Sequence, residues 1–364
     1  MRDKIAGAIY GMALGDAMGM PSELWGREKV RKYFGKIEGL LDGPKENSVA
    51  CNYKKGQFTD DTGQALVIID SLKDTKFKPN SKDIATKLLK WAQKEKAFEN
   101  NILGPTSKVA LANFRDGINS KAVTDKALSN GSAMRIAPIG CLFNAHDKEK
   151  LANFVYEVSE VTHTSDITIA GAAMIAVAVS SAIENNDFDI VIKDVFEMEP
   201  IARRLGAETY SPSLTERIKI GIYLANEYKN NEDLFLEKLY DIVGAGVNIS
   251  ESVPSAISIA YYAQDPNKCA LLCANLAGDT DTIGAMATAI CGAFKGLDYI
   301  KEEYVESLNK ANDIDFDSYI SILMWLVHKM WIDHVVVVEI YDTYFLCLSW
   351  CLFNEGTVLC NYKA

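Results

Sequence analysis

Apolar residues recur at helical spacing along most of the chain, and no convincing run of alternating apolar and polar positions marks a strand in its core. Leu151, Val155 and Val158, for example, fall on one helical face. Residues 167–183 are almost entirely small or apolar, which is typical of a helix buried on all sides. The pattern predicts an all-α protein, with residues 1–318 forming one irregular orthogonal multi-helix bundle.

Glycines occupy every fourth position of the first predicted helix, which covers residues 2–19. A second series with the same spacing follows Asp281. The two series are Gly7, Gly11, Gly15 and Gly19, and Gly284, Thr288, Gly292 and Gly296. Each glycine costs a helix about 1 kcal/mol relative to alanine, so a bare face most simply serves close helix–helix approach. We predict that these two helices pack together and join the two ends of the core.

The chain changes character in residues 319–364, which form an atypical hydrophobic and aromatic tail. Three of the five tryptophans lie from Trp325 onward, and residues 335–340 favour a strand. Interrupting charges argue against a transmembrane helix there. The tail can be an added packing or dimerisation element, a weak membrane-contact segment, or an out-of-frame version of a final helix. The last interpretation is favoured, and it predicts an exposed apolar patch.

Two short runs place paired carboxylates and threonines directly before apolar segments. Residues 59–62 read Thr-Asp-Asp-Thr, and residues 279–282 read Asp-Thr-Asp-Thr. Capping explains either run alone, because an acidic residue in a first helical turn contributes roughly 0.3–1 kcal/mol. Two such runs, each with surplus carboxylates, instead suit hard divalent cations, which prefer oxygen ligands. We therefore predict one or two Mg²⁺ or Mn²⁺ ions, held where the two helix starts meet.

The composition limits the partners and the compartment. A net charge of -11 and an isoelectric point near 5.0 argue against a nucleic-acid backbone as the main partner. No membrane partner is expected, and Asp3 and Asp16 on either side of the apolar segment 5–14 argue against an export signal. Eight scattered cysteines suit reduced thiols, so a cytoplasmic location is expected.

Three further motifs accompany the two acidic runs. They are Gly15-Asp16-Ala17-Met18-Gly19 with Glu23, Asn130-Gly131-Ser132-Ala133-Met134-Arg135, and Thr162-His163. In this order, from about residue 4 to about residue 318, the five motifs resemble those of the ADP-ribosylglycohydrolases, the family of the dinitrogenase reductase-activating glycohydrolase. Ala277 departs from that pattern, because the family often has a second glycine there.

The resemblance implies a metal-dependent hydrolase that cleaves the glycosidic bond at C1 of the distal ribose of ADP-ribose conjugates. Its partner would be an ADP-ribosylated protein or a small ADP-ribose ester. The implied catalytic residues are Glu23 and Asp61. The implied ligands of two Mg²⁺ or Mn²⁺ ions are Thr59, Asp60, Asp61, Asp279, Asp281 and Thr282. The implied substrate-binding residues are Gly104, Thr106, Asn130, Gly131, Ser132, Met134 and His163.

Two other functions use the same residues differently. A two-metal phosphohydrolase would use the same carboxylates on a nucleotide and release phosphate, and a crystallin-like structural protein would keep only the fold. Intact carboxylates and Glu23 argue against the structural protein. Arg135 is expected to pair with a phosphate or with a buried acid such as Asp16.

Overall fold

The computed structural model describes residues 1–100 and 102–328, and within these the fold is an all-α bundle that contains no β-strand. The helices of the first half are α1 (Arg2–Gly19), α2 (Arg27–Phe34), α3 (Asp60–Asp74), α4 (Ser81–Lys94), α5 (Pro105–Arg115), α6 (Lys121–Thr124), α7 (Ala137–Gly140), α8 (Lys148–Ser159) and α9 (Asp166–Glu184). Those of the second half are α10 (Phe188–Arg203), α11 (Leu214–Glu227), α12 (Glu232–Ile242), α13 (Ile249–Ala263), α14 (Pro266–Ala274), α15 (Thr280–Lys295), α16 (Glu302–Ala311) and α17 (316–328). The predicted fold class is confirmed.

The core is organised around the packing of α1 against α15, as the glycine spacing predicts. A Cβ atom at Gly15 would overlap the carbonyl oxygen of Gly284, and one at Gly7 would overlap that of Gly292. The two backbones are therefore in direct contact, which only glycine permits. Because α1 ends and α15 begins at the same end of this pair, the first and last parts of the core meet there.

Helix α9 passes through the middle of the bundle and packs against α8, α10, α13 and α15. By length and composition alone it could cross a membrane, but 94% of its apolar window is buried inside the protein. A core helix of a soluble bundle has the same character. The burial of α9 therefore agrees with the predicted central helix of residues 167–183.

Helix α17 closes the bundle beside the start of the chain. Phe316 stacks on Tyr10 with a ring separation of 4.5 Å, and Ile320 and Leu323 are fully buried. The helix runs across residue 318, where the sequence predicts a domain boundary. The strand predicted for 335–340, and the rest of the tail beyond residue 328, lie outside the described residues.

Candidate metal and substrate site

The two acidic runs meet as the sequence predicts. The Thr59 hydroxyl lies 3.1 Å from Asp61 Oδ2, and 3.4 Å from Asp281 Oδ2 on the other helix. Glu23, Asp279 and Asp281 each place a carboxylate oxygen within 4.8 Å of the other two. The starts of α3 and α15 thus form one acidic centre from residues 222 positions apart.

Asp16, on α1, holds the start of α3 in place. Its Oδ1 accepts hydrogen bonds from the Thr59 amide (2.8 Å) and hydroxyl (2.9 Å). Its Oδ2 accepts from the Thr62 amide (3.0 Å) and hydroxyl (2.6 Å). These bonds satisfy two of the amides that a helix N-terminus leaves without partners, so Asp16 is a helix cap supplied from another element. The alternative in which Arg135 forms an ion pair with Asp16 is wrong, because Arg135 donates to Gln64 and Thr162.

Glu23 is held beside the start of α15 by backbone pairing. The Leu24 amide donates to the Gly278 carbonyl oxygen (2.7 Å), and the Gly278 amide donates to that of Trp25 (2.9 Å). Gly278 has φ +80°, and Ala277 before it has φ +76°. This left-handed turn suits glycine, which gives a physical reason for a second glycine at position 277 in the family pattern.

The predicted substrate residues of the 130–134 segment have different surroundings. Asn130 Nδ2 donates to Asp279 Oδ2 (2.5 Å), so this amide contacts a predicted metal ligand directly. The Ser132 hydroxyl donates to the Thr168 carbonyl oxygen and is fully buried, so its side chain serves the packing of α9. Met134 is 7% exposed. Of these three side chains, that of Asn130 is linked to the acidic centre.

Two of the other predicted substrate residues, Thr106 and Gly131, are linked to His163, whereas Gly104 is not. The Nε2 atom of His163 lies 3.0 Å from the Ser129 hydroxyl, which donates to Thr106 Oγ1 (3.1 Å) near the start of α5. A Cβ atom at Gly131 would come within 2.8 Å of His163 Cε1, so glycine is needed for this loop to approach the ring. Gly104, before α5, is exposed, and a Cβ atom there would meet nothing within 4 Å.

Arg135 and Gln64 connect the two halves of the site. Arg135 is 1% exposed and donates to Gln64 Oε1 and Thr162 Oγ1, both at 2.6 Å. Gln64 Nε2 in turn donates to Asp60 Oδ2 (2.8 Å). Gln64 was missed at the sequence level, although its position one helical turn after Asp60 could have indicated it.

Ionising the buried carboxyl groups of the acidic centre is unfavourable unless a positive charge lies nearby. It raises the pKa of Asp16 and of Asp279 to about 6, even though both carboxylates accept hydrogen bonds. Burial and the charge of Asp16 raise the pKa of Asp60 to about 7. Burial, and then the charge of Asp281, raise the pKa of Asp61 and of Glu23 well above the usual range. A bound cation would reverse these shifts by stabilising the ionised forms.

The donor set fits a hard divalent cation. Asp61 Oδ1 is buried without any hydrogen-bond partner, so it is an acceptor available to an ion. The oxygens around it come from carboxylates and threonine hydroxyls, with no thiol or imidazole among the predicted ligands. These ligands are all on the first turns of α3 and α15 or at the residues that cap them.

A cleft of about 790 Å³ lies along α3 and α4 and meets the acidic centre at Thr59 alone. Thr59, Tyr53 and Trp91 are among the residues that line it. Burial, and then the charges of Asp60 and Asp16, raise the pKa of Tyr53, so this phenol stays neutral. Tyr53 was not identified from the sequence, because the loop that carries it has no recognisable motif.

Comparison with known proteins shows that the chain is similar to ADP-ribosylglycohydrolases and ADP-ribosylhydrolases. A family model described as ADP-ribosylglycohydrolase matches residues 1–331. The uncharacterized protein YegU of Escherichia coli (strain K12) is 44% identical over 322 residues, which cover 88% of this chain and 96% of that protein. The ADP-ribosylhydrolase ARH3 of Homo sapiens is 26% identical over 348 residues, covering 86% of this chain and 91% of that protein.

Two further similarities agree with this. The ADP-ribosylarginine hydrolase Tri1 of Pseudomonas putida (strain GB-1) is 26% identical over 313 residues, which cover 84% of this chain and 74% of that protein. A solved structure titled "ADP-ribosylglycohydrolase-related protein complex" superposes with a TM-score of 0.66 at 22% identity, covering 90% of this chain and 98% of that one. At that identity the structural match supports the shared fold.

Proposed function

The chain belongs to the ADP-ribosylglycohydrolase family, and on that premise we propose that it is a metal-dependent hydrolase of the glycosidic bond at C1 of the distal ribose in ADP-ribose conjugates. The family comparison supports ADP-ribose hydrolase activity in general terms. The observation that carries the finer proposal is the meeting of the α3 and α15 carboxylates, with Glu23 beside them.

The proposed metal ligands are the side chains at the two helix starts. Two ions, Mg²⁺ or Mn²⁺, would be held by Thr59, Asp60, Asp61, Asp279, Asp281 and Thr282. When bound, such ions supply Lewis-acid chemistry, orienting hydroxyl oxygens and stabilising negative charge. Asp16 and Asn130 position this set from outside it, because each binds a predicted ligand directly.

Glu23 is the proposed catalytic residue for proton transfer. It is more exposed than Asp61, Asp279 and Asp281, so it can face a substrate while they remain behind it. In hydrolysis the oxygen of water bonds to C1, the bond from C1 to the leaving nitrogen or oxygen breaks, and a proton passes from the water to the leaving atom. A carboxyl group can carry that proton. Asp61 remains the second catalytic residue of the proposal, although its burial favours a ligand role.

The ADP-ribose is proposed to lie against the segment that joins Asn130 to His163 and α5. The residues assigned to it are Gly104, Thr106, Asn130, Gly131, Ser132, Met134 and His163. Burial, and then the charge of Arg135, lower the pKa of His163 to about 3, so the imidazole is neutral and serves as a hydrogen-bonding group. The conjugate would be an ADP-ribosylated protein side chain or a small ADP-ribose ester. The names of ARH3, an ADP-ribosylhydrolase, and Tri1, an ADP-ribosylarginine hydrolase, support an ADP-ribosyl conjugate in general.

Product analysis tests this proposal. The protein is incubated with ADP-ribosylated arginine and serine peptides and with O-acetyl-ADP-ribose, with Mg²⁺ or Mn²⁺ or with EDTA, and the products are identified by mass spectrometry. We expect metal-dependent release of free ADP-ribose from at least one substrate. An Asp60→Asn/Asp281→Asn variant should lose that release, and Asp74→Asn, on an exposed turn of the same helix, should keep it. Release of phosphate or AMP instead would contradict the proposal.

A further inference from the structure

Arg135 starts two chains of hydrogen bonds that run to opposite parts of the site. One chain passes through Gln64 to Asp60. The other passes through Thr162 and His163 and then to Ser129 and Thr106. Arg135, Gln64, Thr162 and His163 are each at most 1% exposed, so water does not compete for the four buried groups.

The guanidinium fixes the direction of the second chain, because it can only donate. Thr162 Oγ1 accepts from Arg135, and Thr162 is fully buried. Among the described residues His163 Nδ1, at 2.8 Å, is the only hydrogen-bonding partner left for the hydroxyl proton of Thr162, which would otherwise be buried without an acceptor. His163 Nδ1 therefore accepts, and the neutral ring carries its proton on Nε2. That proton is donated to the Ser129 hydroxyl at 3.0 Å.

The second chain of hydrogen bonds ends at the hydroxyl group of Thr106, which is left as a donor. Ser129 accepts from His163 and donates its own proton to Thr106 Oγ1. No hydrogen bond among the described residues takes the remaining proton of Thr106, which is half-buried beside the exposed Gly104. An acceptor oxygen of a ligand, such as a diphosphate oxygen, is the partner that this proton suits.

The first chain is directed in the same way. Because Gln64 Oε1 accepts from Arg135, its amide nitrogen faces Asp60 and donates to Oδ2. One oxygen of Asp60 is thereby tied to α3. The orientation of a predicted metal ligand and the polarity of the predicted ligand-binding chain both originate at one buried cation.

We propose that Arg135 is a positioning residue: through Thr162 it locks His163 in the Nε2-protonated form and makes Thr106 a hydrogen-bond donor to the ADP-ribose diphosphate, while through Gln64 it orients Asp60. This rests on the proposed function for the identity of the ligand. The tautomer of His163 and the role of Thr162 in selecting it do not depend on that identity.

The first test is the tautomer of His163, measured from long-range ¹H–¹⁵N correlations and assigned by the signal that disappears in His163→Asn. The wild type should show one neutral form, protonated at Nε2, from pH 6 to pH 8. Thr162→Val keeps the side-chain shape but removes the donor to Nδ1, so both tautomers should become populated. Thr162→Ser should restore the single form. An Nδ1-protonated ring in the wild type, or an unchanged tautomer in Thr162→Val, would overturn the proposal.

The second test is calorimetric binding of ADP-ribose and of Mn²⁺ to the same folded variants. Thr162→Val and Ser129→Ala should each bind ADP-ribose about tenfold more weakly, the usual effect of losing one oriented hydrogen bond. Their Mn²⁺ affinity should stay within about twofold of the wild type, because the Gln64 chain is intact. Ser129→Ala should also keep the His163 tautomer, because its link from Arg135 remains.

The outcomes separate this proposal from the proposed function. Absence of ADP-ribose binding in the wild type would contradict the proposed function, whereas the tautomer measurement would still decide the role of Arg135. Wild-type affinity for ADP-ribose in both Thr162→Val and Ser129→Ala would overturn the positioning role with the proposed function intact.

Discussion

The Asp16 carboxylate caps a helix whose first residues follow it by 43 positions. Such a cap differs from a local one, because it fixes where α3 begins relative to α1 as well as satisfying its amides. The same carboxylate orients the Thr59 hydroxyl, a predicted metal ligand. At the scale of single residues, stability and the proposed metal site therefore depend on the same hydrogen bonds.

Asp16→Asn should destabilise the protein by about 2–4 kcal/mol. An amide keeps one acceptor oxygen and turns a donor toward groups that themselves donate, which leaves buried amides of α3 unsatisfied at about 1–3 kcal/mol each. Urea unfolding monitored by circular dichroism measures the loss. Asp74→Asn, an exposed change on α3, is the matched control; it removes only a surface ion pair with Lys87 and should cost no more than about 1 kcal/mol. Equal stability of the two variants would refute the capping role.

The pKa values of the acidic centre predict how the metal-free protein responds to pH. The carboxyl groups of Asp16 and Asp279 have a pKa of about 6 and that of Asp60 about 7, all above the ordinary value of 3.8. The folded protein therefore binds more protons than the unfolded chain in this range, so stability is lost as pH rises from about 4 to about 7.

Unfolding in urea with EDTA, at pH 5 and pH 8, measures this effect. The wild type should lose more stability over that interval than Asp60→Asn/Asp281→Asn, which has two fewer carboxyl groups in the centre. Saturating Mn²⁺ should raise the free energy of unfolding of the wild type more at pH 8 than at pH 5, because the ion competes with protons for the carboxylates. A wild-type protein that loses no more stability between pH 5 and pH 8 than the double variant would contradict the raised pKa values.

At the scale of helices, the contact between α1 and α15 sets the distance between the two halves of the acidic centre. The four-residue glycine spacing was enough to predict this contact. Glycines lower the stability of a helix, and close packing against a second helix is the simplest arrangement that offsets this loss. Gly15 is at one of the tightest points, against Gly284 and beside Thr288. A shift there would move the starts of α3 and α15 apart.

Gly15→Ala should cost about 3 kcal/mol or more of unfolding free energy, since overpacking a close contact typically costs 1–3 kcal/mol and here the obstacle is backbone. Thermal unfolding and Mn²⁺ titration should show lower stability and weaker metal binding together. Gly39→Ala is the control, because a Cβ atom there meets nothing within 4 Å. Unchanged stability in Gly15→Ala would show that the helices can separate without cost.

The sequence was most informative where a motif carries its own chemistry. Paired Asp and Thr residues at helix starts predicted the acidic centre, and glycine spacing predicted the helix pair that assembles it. Of the alternatives for Arg135, the ion pair with Asp16 was wrong, because Thr59 and Thr62 already saturate the Asp16 oxygens and neutral Gln64 and Thr162 receive the guanidinium. Gln64 and Thr162 come from separate elements that approach Arg135 only in the folded protein. No characteristic spacing in the sequence marks such hydrogen-bond partners.

At the scale of the whole molecule, the centre is assembled from both ends of the core, with α1 and α3 from one and α15 from the other. An ion bound there would connect these elements and stabilise the folded state, by about 2.7 kcal/mol at a hundredfold excess over its dissociation constant. Thermal unfolding should therefore shift upward with Mn²⁺ in the wild type and return with EDTA. The Asp60→Asn/Asp281→Asn variant should not show that shift, and an equal shift in both would place the ion elsewhere.

The most direct test of a metal-dependent ADP-ribose site is a calorimetric titration of ADP-ribose into the protein, first with Mg²⁺ and then with excess EDTA. We predict binding with one ligand per chain in Mg²⁺, its loss in EDTA, and its loss in Asp60→Asn/Asp281→Asn but not in Asp74→Asn. No binding to the folded, metal-loaded wild type, or equal binding with and without metal, would contradict the proposed site.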